Sequence, residues 1–186
     1  MILTERLILR GWTPADLDPF AAMGQDPRVM ATLGPLMSRD EVAALIDRIE
    51  GVRAAHGHCF WAIERREDGA FLGFCGVKPG AEDTPIEGEI EIGWRLAHEH
   101  WGKGYAREAA QASLDWVWDH LPVDHVAAIT TPGNTASWGL MERLGMVRAP
   151  QDDFDHPKAQ GHLIPHITYR IARPADRPAP AEPRQS

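Results

Sequence analysis

Gly102 and Gly104 flank Lys103 in the stretch HEHWGKGYAREAA, residues 98–110, and Arg107 follows just inside what reads as an alanine-rich helix. Glycine costs a helix stability relative to alanine, so two of them at its start need a local reason. A strand that ends in a glycine turn and feeds a helix leaves several backbone N–H groups unpaired and aimed one way, which makes an anion site. Lys103 and Arg107 add positive charge that suits a diphosphate better than a carboxylate. A turn whose glycines merely permit a sharp reversal is the other reading of the same residues. There is no G-x-x-x-x-G-K-[ST], and the third glycine of G-x-G-x-x-G is missing, so the common nucleotide signatures do not apply.

A second group capable of chemistry lies just upstream. In IEGEIEIGWRLA, Ile86, Ile90, Ile92, Trp94 and Leu96 alternate with Glu87, Glu89, Glu91 and Arg95, which predicts a strand with one apolar face and one face carrying carboxylates. The nine histidines contain no H-E-x-x-H, and none is expected to bind a metal. Cys59 and Cys75, the only two cysteines, have neither disulfide-framework nor metal-ligand spacing and read as buried thiols.

The elements that must position these residues follow from periodicity and punctuation. Residues 3–10 read as a first strand, and Thr13 with Pro14 as a helix start. Ser38 and Glu41 form an S-x-x-E capping box, and Val42, Leu45, Ile46 and Ile49 recur at helical spacing, predicting a helix that stops near Gly57. CFWAIERR and AFLGFCGVK, separated by Glu67-Asp68-Gly69, predict a hairpin. Beyond the glycines a helix is predicted over about residues 104–120, then a buried strand in HVAAITT. A short helix capped by Asn134 and stopped by Gly145 comes next, and a last strand in HLIPHITYRIA. The final stretch, 173–186, is too rich in proline and charge to pack and is expected to be a flexible tail behind a single domain over 1–172.

A chain of 186 residues with 44% hydrophobic composition can bury one sizeable core. No run approaches a membrane span, and charges at Glu5, Arg6 and Arg10 interrupt what a signal peptide would keep apolar, so the expected location is the cytoplasm. The net charge of −8 argues against nucleic acid as a partner and mildly favours a cationic amine.

The blocks EIGWRL, WGKGYAREA and NTASWGLMERLGM, with TERLILR before them and HITYRI after, stand in an order and spacing that resembles the GNAT superfamily of acetyl-CoA-dependent N-acetyltransferases. The likeness covers about residues 3–171 and is closest to the branch typified by enzymes that acetylate the N-termini of ribosomal proteins. It implies an α+β fold: a mixed, mostly antiparallel central sheet with a splayed strand pair, flanked by helices. The superfamily turn Gln/Arg-x-x-Gly-x-Gly/Ala falls on Trp101, Gly104 and Ala106, with Trp101 departing from the usual first residue. The resemblance implies that backbone from Gly102 to Arg107, including Tyr105, meets the diphosphate of coenzyme A. It further implies that Trp94 and Leu96 sit on the strand pairing with the pantetheine arm, and that Asn134 bonds that arm.

Acetyl transfer to an amine requires a proton acceptor for the nucleophile and benefits from an acid at the departing thiolate. Glu91, inside the matching EIG, and Glu89 are the candidate bases, acting directly or through water. The tyrosine that many members use as acid is Met141 here, and the resemblance moves that role to Ser137, one turn earlier; a side chain that bonds its own helix cap is the rival reading. His156 and His166 fall near the strands that border the acceptor side in this family. Trp61 and Trp138 read first as core packing and otherwise as candidates to wall an acceptor pocket, which is expected to be acidic and aromatic. The expected function is transfer of acetyl from acetyl-CoA to a primary amine, a protein N-terminus or a small molecule, by direct attack in a ternary complex. A non-catalytic acyl-CoA-binding sensor is the competing reading, motivated by Met141. Members of the family often pair as homodimers, which no residue here decides.

Overall fold

The computed structural model describes residues 1–180. The chain opens with two short strands, β1 (Ile2–Leu3) and β2 (Leu7–Arg10), where one was expected. Residues 4–6 reverse the chain so that β1 pairs antiparallel with β2; Thr4 N–H donates to Leu7 O at 3.0 Å, and the Glu108 carboxylate holds the turn by accepting from Thr4 Oγ1 at 2.6 Å and the Arg6 N–H at 2.9 Å.

Thr13 is followed by a 3-10 turn, Pro14–Asp16, before α1 (Leu17–Gly24) and the single turn α2 (Pro27–Met30). The predicted capping box is present at α3 (Arg39–His56). Ser38 Oγ accepts from the Glu41 N–H at 3.2 Å, Glu41 accepts from the Ser38 N–H at 2.7 Å, and Gly57 ends the helix at φ 77°. β3 (Phe60–Arg65) and β4 (Phe71–Pro79) form the predicted hairpin, with Gly69 left-handed at its turn.

β5 (Ile90–Leu96) starts four residues later than its alternation suggests. Hydrogen bonds from Glu87 N–H to Thr84 O and from Glu89 N–H to Ile86 O fold residues 84–89 into turns, although Ile86 is still fully buried. α4 (Tyr105–His120), β6 (His125–Thr130) and α5 (Thr135–Arg143) follow as predicted. The chain closes with β7 (Val147–Arg148), β8 (Phe154–Asp155) and β9 (Pro165–Ala172); residues 161–163, expected in the last strand, form a 3-10 turn.

The sheet runs β1-β2-β3-β4-β5-β6-β9-β7, with β8 added on β9, and every pairing is antiparallel except β5 with β6. That parallel pair is joined at one position, Glu91 opposite Ala127. β6 then continues against β9 while β5 continues against β4, so the two strands part and leave a wedge-shaped opening in the middle of the sheet.

One face is covered by α4, whose Ala109, Ala110, Leu114 and Val117 are buried and whose Ser113 lies against Cys75. The other face carries Phe74, packed on Phe20 of α1 and on Trp12. At the start of the expected tail, Arg173 donates to the carbonyls of Trp118, Leu121 and Val123, and Arg177 pairs with Asp115, so this part is fastened to α4 and the loop after it. Residues 181–186 of the expected tail lie outside the described residues. No helix among the described residues is long and apolar enough to cross a membrane.

Candidate active site

The turn between β5 and α4 has the geometry its glycines require. Gly102 and Gly104 have φ of 72° and 81°, the left-handed region that residues with a Cβ avoid. Gly104 is the N-cap of α4 and supplies no side chain, and the first helical bond is Glu108 N–H to Gly104 O at 3.1 Å. The N–H groups of Tyr105, Ala106 and Arg107 therefore have no partner within the helix. Arg6 braces the turn by donating to Lys103 O at 3.0 Å and lying over the Tyr105 ring. Trp101 donates its indole N–H to Leu96 O at 2.8 Å and ties the strand end to the turn.

A cavity of about 300 to 1000 Å³ is the usual size of a small-molecule site; the one that opens here measures 590 Å³. It runs from this turn along the parted edge of β5 to α5. Trp94, Leu96, Trp101, Gly102, Gly104, Tyr105, Ala106 and Arg107 line it on one side, and Asn134 and Ser137 on the other. All of these were expected from the sequence. Lys103 is not among the lining residues; it is exposed between the two left-handed glycines, and the arginines that join Arg107 at the cavity are Arg95 and Arg143. Arg143 was legible in principle, because Leu140 and Arg143 follow Ala136 at helical spacing on the face that carries Ser137.

Asn134 caps α5 by position only. Its ψ of 66° takes the side chain out of capping geometry, and no side-chain cap bond forms. Ser137 contributes its backbone N–H to Asn134 O at 3.0 Å. Among the described residues its hydroxyl has no hydrogen-bond partner, so the rival reading of a cap-bonding serine does not hold. Met141 is buried in the core, away from the lining.

The carboxylates are arranged differently from the expected pair. Glu91 sits at the crotch of the wedge, nearly buried and ion-paired with Lys78, and it is not among the residues lining this cavity. Glu89 is excluded from the site. Arg170 donates to both of its oxygens, at 2.9 and 2.8 Å, and His125 Nε2 stands 2.9 Å away. Burial alone would raise the Glu89 pKa, but the bonds and charge of Arg170, then His125, outweigh it and hold the carboxyl below its ordinary value. Arg170 also binds Asp152, so Glu89 belongs to an ion cluster that fastens the start of β5 to β9.

Two further expectations are corrected. Trp61 is buried against Trp116 of α4, with ring centroids 5.2 Å apart, and Trp138 gives its N–H to Pro132 O; neither lines a cavity. No carboxylate lines this cavity or its neighbour, so the acidic acceptor pocket is absent from the described residues.

Arg95 and His100 also line the cavity, and no sequence motif marks either. Arg95 lines the cavity with its guanidinium against Phe20 and Phe74, its buried Nε without a partner among the described residues, and burial pushes its pKa down to about 10. His100 lines the same cavity with a buried, unpartnered Nδ1; its pKa is lowered, first by burial. Orphaned donors, left-handed glycines and three arginines fit a polyanionic ligand with a polar arm.

A second cavity, of 420 Å³, adjoins the first and shares Thr32 and Leu33 with it. Thr130 and Thr131 at the end of β6 line it, together with His156 and His166, whose rings stand 4.8 Å apart.

A family model described as the acetyltransferase (GNAT) domain matches residues 6–147. The uncharacterized protein YkkB of Bacillus subtilis (strain 168) is 32% identical over 146 residues, which cover 78% of this chain and 84% of YkkB. An acetyltransferase structure from Agrobacterium tumefaciens str. C58 is similar with a TM-score of 0.76 and 28% identity, covering 91% of this chain and 92% of that one. The spermidine N-acetyltransferase of Vibrio cholerae, solved in complex with CoA and spermine, shares the fold with a TM-score of 0.70 and 20% identity, covering 91% and 97%. With the parted strands and the glycine turn in place and the family model spanning most of the chain, the protein belongs to the GNAT acetyltransferases.

Proposed function

We propose that the protein transfers the acetyl group of acetyl-CoA to a primary amine by direct attack, with both substrates bound together. The observation that carries this reading is the convergence of the left-handed glycine turn and the unbonded Ser137 hydroxyl on one cavity along the parted edge of β5. The N–H groups of residues 105–107, with Arg107 and Arg143, receive the diphosphate. The edge of β5 from Trp94 to Leu96 and the Asn134 amide hold the pantetheine arm. Acetyl-CoA brings an acetyl group activated as a thioester.

As the amine nitrogen bonds to the acetyl carbon and the carbon–sulfur bond breaks, Ser137 gives its proton to the departing sulfur and is reprotonated from solvent. Glu91, ion-paired with Lys78 and outside the cavity lining, takes the proton lost by the amine through water. Direct attack is supported by the thiols. Burial pushes both Cys59 and Cys75 up to about 12, which leaves neither as a thiolate able to carry acetyl near neutral pH. A sensor without chemistry gains nothing from Met141, because Ser137 supplies a hydroxyl at the cavity.

Following free thiol released from acetyl-CoA in the presence of a panel of small amines and peptides tests the proposal. Amine-dependent release is expected, with Ser137→Ala lowering kcat about 10–100-fold at nearly unchanged CoA affinity. CoA binding with no amine-dependent release from any acceptor would overturn it.

A further inference from the structure

The second cavity has a chemistry of its own. It is walled by the end of β6, by residues 32–35 and by residues 156–166, and a contact from His162 Nε2 to Ala31 O at 3.4 Å braces the last of these against the first helices. The chain has 27 acidic against 19 basic residues, yet this cavity has no carboxylate in its lining. Its ionisable side chains are His156, Lys158 and His166.

The two imidazoles are fixed in opposite senses. The His166 Nδ1 lies 3.2 Å from Ile164 O; a carbonyl only accepts, so the ring hydrogen is on Nδ1 and the Nε2 of the neutral ring has a free lone pair. His156 Nδ1 accepts from the Lys158 backbone N–H at 3.2 Å, so the hydrogen of its neutral ring is on Nε2. Burial first, and after it the nearby His166, Lys158 and Lys78, lower the His156 pKa. One ring is thus a donor and the other an acceptor, 4.8 Å apart, with a lysine beside the donor.

We propose that this cavity is the acceptor subsite and that it takes a small amine bearing a carboxylate on the same or a neighbouring carbon. Lys158 and the Nε2–H of His156 receive the carboxylate, and the Nε2 of His166 receives a hydrogen of the amine. The inference rests on the acetyl-transfer reading above and narrows it. A polycation finds no counter-charge here, whereas an amino acid finds a partner for each of its ends. At 420 Å³ the cavity accommodates such a molecule with its side chain.

Thiol release from acetyl-CoA, measured on matched acceptors, decides the matter: lysine against cadaverine, ornithine against putrescine, and alanine and methionine against their amides. The member with the carboxylate should have a kcat/KM at least about tenfold above its partner, and Lys158→Met should bring that ratio towards one. Equal or better use of the decarboxylated or amidated partners overturns the carboxylate subsite while leaving acetyl transfer standing. So does a ratio unmoved in both Lys158→Met and His156→Phe, or a peptide N-terminus used better than every small acid. Absence of turnover with every member, peptides included, removes the acetyl-transfer reading itself.

Discussion

In the proposed reaction Ser137 and Glu91 divide the proton traffic, and their surroundings make that division testable. Ser137 is at the cavity with a free hydroxyl, while Glu91 is paired with Lys78 at the point where β5 and β6 part. Glu91→Gln should lower turnover about 10–100-fold and leave CoA affinity nearly unchanged. The loss should be greatest near neutral pH, where the amine arrives charged and must shed a proton. Lys78→Met breaks the same ion pair but keeps the carboxylate, so its effect on turnover should be smaller; an equal loss in both variants would assign Glu91 a purely structural role. Period-two alternation placed Glu91 and Arg95 on one face, and the structure agrees for both. The same alternation could not separate Glu89 from Glu91, because the arginine that claims Glu89 is Arg170, 81 residues further along the chain. Asn134 was legible as the cap of α5 by residue type, but the ψ that takes its side chain out of capping geometry is set by the turn after β6 and leaves no mark in composition.

At the level of elements, punctuation was the most legible feature. Ser38, Glu41 and Gly57 bound α3, the Asp68-Gly69 turn joins β3 to β4, and Gly145 at φ 85° follows α5. Each works through local hydrogen bonds or a positive φ, which depend on a few adjacent residues. Elements whose limits depend on distant partners were less legible, as at β1 and β2, which separate where Glu108 of α4 binds Thr4 and Arg6. The capping box of α3 lies apart from both cavities, so Ser38→Ala should cost about 1 kcal/mol and leave kcat unchanged. For a domain of this size the unfolding midpoint should fall by roughly 2–4 °C. A calorimetric scan showing no shift would mean that the exposed box contributes nothing to stability.

Across the whole molecule, the cavities are assembled from segments that sequence alone could not bring together: residues 29–33 and 94–107 with α5 for one, and residues 32–35 and 129–131 with 156–166 for the other. The sheet order, with β6 between β5 and β9, brings them into contact. The same burial gives the molecule a pH signature. His58, His100 and His156 are each held below the ordinary value of 6.5, first by burial, so the unfolded chain binds more protons than the folded one as pH falls through 6.5. Their contribution is complete above that value and is lost as pH drops through the folded values. The carboxylates that are held low, Asp16, Glu89 and Glu108, give their full contribution above the unfolded values of 3.8 and 4.5, so they do not fall away in the same window. The unfolding midpoint should therefore decline between about pH 7 and about pH 5, and a flat or rising profile would contradict the histidine burial described. The central claim is that a left-handed glycine turn lets the backbone meet the diphosphate of coenzyme A, and calorimetric titration of CoA into the native protein and into Gly104→Val tests it most directly. A branched side chain at φ 81°, with its Cβ 3.4 Å from Arg6 Nη2, should displace the turn and raise Kd at least about tenfold, or ~1.4 kcal/mol, in a protein that still unfolds cooperatively. An unchanged Kd in folded Gly104→Val would contradict it.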